Sequence, residues 1–265
     1  MLSNGVKTIL ENTGDDKKFT MYLNDIEEAL MKVNDIYYSH RAGNTDESGF
    51  TSEFYHQLRC IQDHKIQLDT DSPYNGVCFG YDQEKKEKAY LSLIEHLVNK
   101  ECLRKDIIET NKKILENHNS LEKVIRPDLI LHTPYNLDRQ EFYGEIKIQG
   151  NPKIFEDFIK ITEWAAILEE AYKSDTYSNN NLDPRFGLYI FIYVFFKPGD
   201  PHSVEKSLKG TLSRIRKKEK RDKAREFNRD IICISLINDD KISVEMRTLG
   251  EILDEIKWYK KSSNT

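Results

Sequence analysis

Two acidic side chains and one amine in this chain fall where two strands can bring them together. Asp128, Glu145 and Lys147 fall in VIRPDLILHTPYNLDRQEFYGEIKIQG, residues 124–150. The stretch reads as two strands joined by a polar turn, because Pro134, Asn136 and Asp138 between them are turn formers. On the second strand Glu141, Tyr143, Glu145, Lys147 and Gln149 share one face, and Phe142, Gly144, Ile146 and Ile148 share the other. On the first, Asp128, Ile130 and His132 alternate with Leu129 and Leu131. Folding the hairpin brings Asp128 beside Glu145, with Lys147 next to them. Two carboxylates and an ammonium at a sheet edge suit a hard divalent cation and an activated water.

Elements on either side must hold that hairpin. Residues 1–18 read as a polar, loosely structured lead-in, and 19–38 carry apolar residues at helical spacing (Tyr22, Leu23, Ile26, Leu30, Val33). After a Gly-, Ser- and Asn-rich loop at 39–49, Thr51 or Ser52 can cap a second helix with the stripe Phe54, Leu58 and Ile61. A turn-rich stretch follows, with Val77 to Tyr81 as a short strand and amphipathic helices over 85–100 and 101–118. Beyond the hairpin, Pro152 opens a helix striped by Ile154, Phe158, Ile161, Trp164, Ala165 and Leu168. FGLYIFIYVFF is an uninterrupted apolar run of strand length, as in a strand buried on both faces. A basic helix at 203–227, strands DIICISLI and KISVEMR, and the helix LGEILDEIKWYKK close the chain. The order specifies a mixed α/β fold.

Composition narrows the function classes. Charged residues make up 32% of the 265, so much of the chain is solvated helix face. Cys60, Cys78, Cys102 and Cys233 are widely spaced, with no CxxC and no matching His pair. That pattern argues against a zinc site or a disulfide scaffold and suits a reducing compartment. The opening residues lack the apolar core of a signal peptide, and the longest apolar run, 186–196, is roughly half of the ~20 residues a membrane helix needs. A cytoplasmic protein with no membrane partner is expected. The Lys-, Ile- and Asn-rich composition suits a low-GC bacterium. A net charge of −5 gives no global pull toward nucleic acid, so such a partner needs a local basic surface.

RPD at 126–128 followed by EIK at 145–147, across a hairpin with a helix on either side, resembles the PD-(D/E)XK nuclease superfamily, the restriction-endonuclease-like fold. Glu84/Lys86, Glu255/Lys257 and Asp63/Lys65 share the E-x-K or D-x-K spacing, but without a preceding Pro-Asp strand. The resemblance implies a core of helix, three strands, helix and a further strand, spanning about 50–196. Its helices are Phe54–Lys65 and 153–172, its strands Val77–Tyr81, 125–132, 141–149 and 187–196. Residues 1–49 then form an N-terminal helical extension, and 50–265 the nuclease-like domain with a C-terminal helix and strand extension, all in one structural domain.

The resemblance also implies a site. Asp128 and Glu145 would ligate Mg²⁺ (Mn²⁺ as a substitute), the Ile146 carbonyl completing the shell, and Lys147 would orient the attacking water and stabilise the transition state. SEFYHQLR at 52–59 resembles the opening helix of bacterial members, which makes Glu53 a third acidic ligand. Each assignment has a plainer alternative. Lys147 can form a salt bridge to Glu145 on an exposed strand face, and Glu53 can be a first-turn acid favoured by the helix dipole. His56, Arg59, Gln149 and Lys160 are candidate nucleic-acid contacts; a hydrogen-bonded structural His and a plain exposed Gln are the alternatives. The Lys- and Arg-rich segment 209–229 can bind a phosphate backbone or be a solvated helix.

The function implied is a metal-dependent nuclease, an endonuclease acting on DNA in a restriction or defence role. A homodimer is the assembly by which many enzymes of this type cut both strands. The alternative is a non-catalytic nucleic-acid-binding or assembly module of the same fold. A third reading, a phosphate-ester hydrolase acting on nucleotides, lacks a Gly-rich P-loop.

Overall fold

The apolar run that reads as a doubly buried strand forms β4 (Leu188–Phe195), in which Leu188 and Ile190 through Val194 are buried. The structure is a computed structural model and describes residues 2–37, 47–80, 127–133, 140–148, 154–173, 183, 185–195, 228–238 and 241–254. The expected helices at 85–100, 101–118 and 203–227 lie outside those residues.

Ahead of β4 come helices α1 (Asn4–Asn12), α2 (Asp16–Lys32) and α3 (Glu47–Leu68), strands β1 (Cys78–Gly80), β2 (Leu129–His132) and β3 (Gln140–Ile148), and helix α4 (Ile154–Tyr172). Strands β5 (Ile232–Asn238) and β6 (Ile242–Thr248) follow, and a last helix begins at 249. The six strands make one mixed sheet in the order β1-β2-β3-β4-β5-β6. β1, β2 and β3 pair antiparallel, β5 runs parallel to β4, and β6 returns antiparallel to β5. The class is α/β. No helix among the described residues is long and apolar enough to cross a membrane.

The chain divides into two compact units. The first comprises Met1–Pro73, Glu145–Ile159 and Ile190–Thr265. The expectation of a loose lead-in fails here, because residues 4–12 are α1. Ser3 caps it, its hydroxyl accepting from Val6 N at 3.2 Å, and Val6 and Leu10, one turn apart, are buried. Backbone contacts hold this helix in place: Ser3 N donates to Met246 O at 3.2 Å, and Leu2 bridges Met246.

A second tie runs through Glu251. Thr248 and Glu251 form a reciprocal capping box, Glu251 N donating to Thr248 Oγ1 at 3.1 Å and Thr248 N to Glu251 Oε2 at 2.9 Å. The same carboxylate accepts from Ser3 Oγ at 2.6 Å and Gly5 N at 2.8 Å. Burial raises the Glu251 carboxyl, but the hydrogen bonds from Ser3, Thr248 and Gly5 outweigh it and hold the group below the usual range. A Cβ at Gly5 would stand 2.7 Å from Glu251 Cδ, so any larger residue there must displace the Glu251 carboxylate.

Helix α2 starts at Asp16, earlier than its apolar stripe announces, because Asp15 caps it through Lys18 N at 3.2 Å. It stops at Lys32 rather than running on to 38, and a short 3-10 turn follows at Asp35–Tyr37. Its apolar face includes an acid: Asp25 is buried among Tyr22, Leu23, Ile26 and Ala29 and meets Lys65 of α3 at 2.6 Å. Helix α3 begins before the Thr51 or Ser52 cap that the sequence suggests. Thr51 lies inside it, its hydroxyl donating to Glu47 O at 2.7 Å, the back-bond that lets a threonine sit mid-helix.

The second unit comprises Tyr74–Gly144 and Lys160–Tyr189. Gly76, at φ +79°, turns the chain into β1. Tyr74, Phe79 and Phe142 pack in sequence as tilted rings, with centroids 5.9 and 5.7 Å apart. Tyr143 meets Phe186 at 5.8 Å. Arg185 lies over the Tyr172 ring at 3.6 Å and pairs with Asp183 and Glu169.

His132, expected on a strand face with Asp128, is only 5% exposed. Burial pushes its imidazole down to about 4, partly offset by a backbone hydrogen bond with Thr133. The folded state therefore keeps His132 neutral where the unfolded chain, titrating near 6.5, takes up a proton. Stability is full above pH 6.5 and falls as pH drops toward 4, by about 2–3 kcal/mol at pH 4.5. Urea unfolding at pH 7 and 4.5 should show that loss, and His132→Gln should remove it. An equal acid loss in the variant would assign the effect to other groups.

Candidate active site on strand β3

All nine residues of β3 are buried, so the strand is not the half-exposed hairpin arm that its alternation suggests. It lies between β2 and β4 in the sheet, and both its faces are covered. Glu145 is fully buried and Lys147 is 7% exposed. Lys147 therefore stands on a buried face, not on the exposed one that its plainer alternative, a salt bridge to Glu145, assumes.

In the first unit, two helices bring carboxylates to Lys147. Its Nζ lies 3.0 Å from Glu47 Oε1 at the start of α3 and 3.5 Å from Asp157 Oδ2 in the first turn of α4. The same ammonium donates to the Ile146 carbonyl at 3.2 Å, the oxygen expected to face a metal. Glu145 precedes Lys147 by two residues and shares its strand face.

Neither partner acid was singled out by sequence. Glu47 falls in the stretch that reads as a loop, and the cap-like Thr51 and Ser52 mask the true helix start. Asp157 does carry a signal. It sits on the stripe of Ile154, Phe158 and Ile161, where an acid breaks the apolar pattern, and it is buried.

Glu53, the expected third ligand, stands on α3 six residues after Glu47, which is about 120° round the helix and about 9 Å along it. Its Oε1 accepts from Gln57 Nε2 at 2.7 Å. His56 is exposed, with Nε2 3.7 Å from Cys60 Sγ. Arg59 spends its guanidinium on its own helix, on Gln62 at 2.7 Å and Asp63 at 3.2 Å. Gln149 lies outside the described residues, as does segment 209–229 apart from its last two residues.

In the second unit, Asp128 stands in a bend immediately before β2 rather than within the strand. Pro127 ahead of it has no N–H to give a ladder. The register of β2 and β3 pairs Leu129 with Gly144, Ile130 with Tyr143 and Leu131 with Phe142, then shifts so that His132 meets Gln140. Leu129 is the residue after Asp128, and Gly144 the residue before Glu145. Lys160, on α4, is half-buried.

Among the described residues no group of three or more His, Cys, Asp or Glu side chains is gathered to hold a metal. Magnesium does not require one, since it keeps several waters and binds through one or two carboxylates together with substrate phosphate. Carboxylate oxygens such as those of Glu145 are of the hard type that this ion takes. Cys60, Cys78 and Cys233 are free thiols. No protein-family model, curated protein or solved structure matches this chain.

Proposed function

We propose that the chain is a Mg²⁺-dependent nuclease of the PD-(D/E)XK, restriction-endonuclease-like type, cutting DNA in a restriction or defence role. One observation carries the reading: Glu145 and Lys147 share a face of a wholly buried strand, and the ammonium is held in ion pairs there. Burying a lysine costs several kcal/mol of desolvation, on the order that only paired or working charges repay. The element order α3, β1, β2, β3, α4, β4, with those strands adjacent in the sheet, agrees with the helix, three strands, helix and strand of that type.

In this reading Asp128, Glu145 and the Ile146 carbonyl would hold the ion. Mg²⁺ held there would supply an acidified water and offset charge on the phosphate. Lys147 contributes a fixed positive charge, which orients the attacking water and offsets charge that develops on the phosphoryl oxygens.

The test incubates wild-type and Lys147→Ala protein with circular duplex DNA, single-stranded DNA and RNA, with Mg²⁺, Mn²⁺ or EDTA. Wild type should nick or cut in a metal-dependent way. Lys147→Ala should be slower by about a thousandfold. Salt-sensitive binding without cleavage of any substrate would overturn the enzyme and favour a binding module of the same fold.

A further inference from the structure

We infer that Glu47 and Asp157 are positioning residues that hold the Lys147 ammonium on the face of β3 that carries Glu145. The catalytic consequence of this rests on the nuclease reading; the holding itself does not. An ammonium on a four-carbon stem has three donors and many rotamers, so it has no fixed place unless several acceptors supply one. Here three elements do so. α3 contributes Glu47 at 3.0 Å, α4 contributes Asp157 at 3.5 Å, and β3 contributes its own Ile146 carbonyl at 3.2 Å.

The two acids are not equivalent. Side-chain exposure is 9% for Lys147, 10% for Asp157 and 35% for Glu47. Attraction between the buried pair is weakly screened, whereas water competes at Glu47. Against that, Glu47 is within hydrogen-bond range, and Asp157 at 3.5 Å makes a Coulombic contact beyond the usual N–H···O distance. Glu47 is therefore the closer acceptor, and Asp157 the charge better shielded from water.

A purely structural ion pair between helices and strand would be equally buried, so stability alone does not discriminate. Two readouts do. The first is the rate at which acetic anhydride acetylates Lys147 in the folded protein, followed peptide by peptide in wild type, Glu47→Gln and Asp157→Asn. The reagent reaches an amine that swings out of its ion pairs. Lys147 should react slowly in wild type and about tenfold faster in Asp157→Asn, with a smaller rise in Glu47→Gln. The second readout is the split between kcat and KM for DNA cleavage. Loss of aim should lower kcat by up to about a hundredfold with KM nearly unchanged.

Equal acetylation rates in all three proteins overturn the proposal, whether or not the protein cleaves DNA. Faster acetylation with unchanged kcat in a cleaving enzyme overturns the catalytic consequence and leaves the nuclease reading standing. A wild type that cleaves nothing sinks the nuclease reading, while acetylation still decides whether the acids hold the amine. Glu47→Gln, at the more exposed position, keeps the test available if Asp157→Asn does not fold.

Discussion

Under the proposed nuclease reading, Glu145→Gln is expected to lose metal-dependent cleavage by about a thousandfold or more while remaining folded. The two halves of that expectation have opposite physical origins. Glu145 is fully buried on the central strand, where an ionised carboxylate carries a large desolvation cost. The amide has the same shape and still accepts hydrogen bonds, so the fold gives up the cost of the charge without leaving a cavity. A hard cation, in contrast, needs the charged oxygen. The thermodynamic signature should match. A ligand at a hundredfold excess over its dissociation constant stabilises the folded state by about 2.7 kcal/mol. Mg²⁺ should therefore raise the melting temperature of wild type and leave Glu145→Gln almost unmoved. Cleavage and Mg²⁺-dependent stabilisation that both survive in Glu145→Gln would remove this carboxylate from the metal site.

Much of the scaffold around this site was legible because burial writes itself into residue order. The apolar run before residue 196 is β4, the alternating stretch around Glu145 is β3, and Val77 to Tyr81 contains β1. Period and run length report which faces a strand must bury. What they miss is polar burial. Asp25, Glu145, Lys147 and Asp157 all lie inside, and in an amphipathic pattern a buried charge looks like one more solvated position. Only its placement on an apolar stripe, as with Asp25 and Asp157, marks it as buried.

Helix starts are masked for a related reason. Thr51 and Ser52 have the chemistry of a cap, and nothing local shows that Thr51 satisfies its hydroxyl on Glu47 instead. The helix in fact starts about one turn earlier, at Glu47, one of the two acids at Lys147. At the other end of the chain order, α1 went unread because it carries only two buried anchors, Val6 and Leu10. Much of its hold comes from Glu251 and Met246, more than 240 residues away. Long-range ties of that kind have no period for a sequence window to detect.

Phe158→Ala is expected to cost about 3–5 kcal/mol, the largest single stability loss foreseen for this chain. Phe158 is fully buried in the first unit, and its ring centroid lies 4.3 Å from that of Phe191 on β4. Truncation removes that aromatic contact and leaves a void that two packed elements cannot close without shifting backbone. A urea midpoint should fall with the slope unchanged. Phe158→Leu, which fills most of the space, should lose much less. The consequence for the site follows from adjacency. Asp157 precedes Phe158 on α4, so the ring seated on β4 also fixes where the Asp157 carboxylate stands relative to Lys147. A small backbone shift at Phe158 therefore loosens the amine before the protein unfolds. Phe158→Leu, studied well below its melting temperature, should show faster acetylation of Lys147 than wild type. If Lys147 stays equally protected when Phe158 is shortened, the packing of α4 on β4 and the aim of the ammonium are independent.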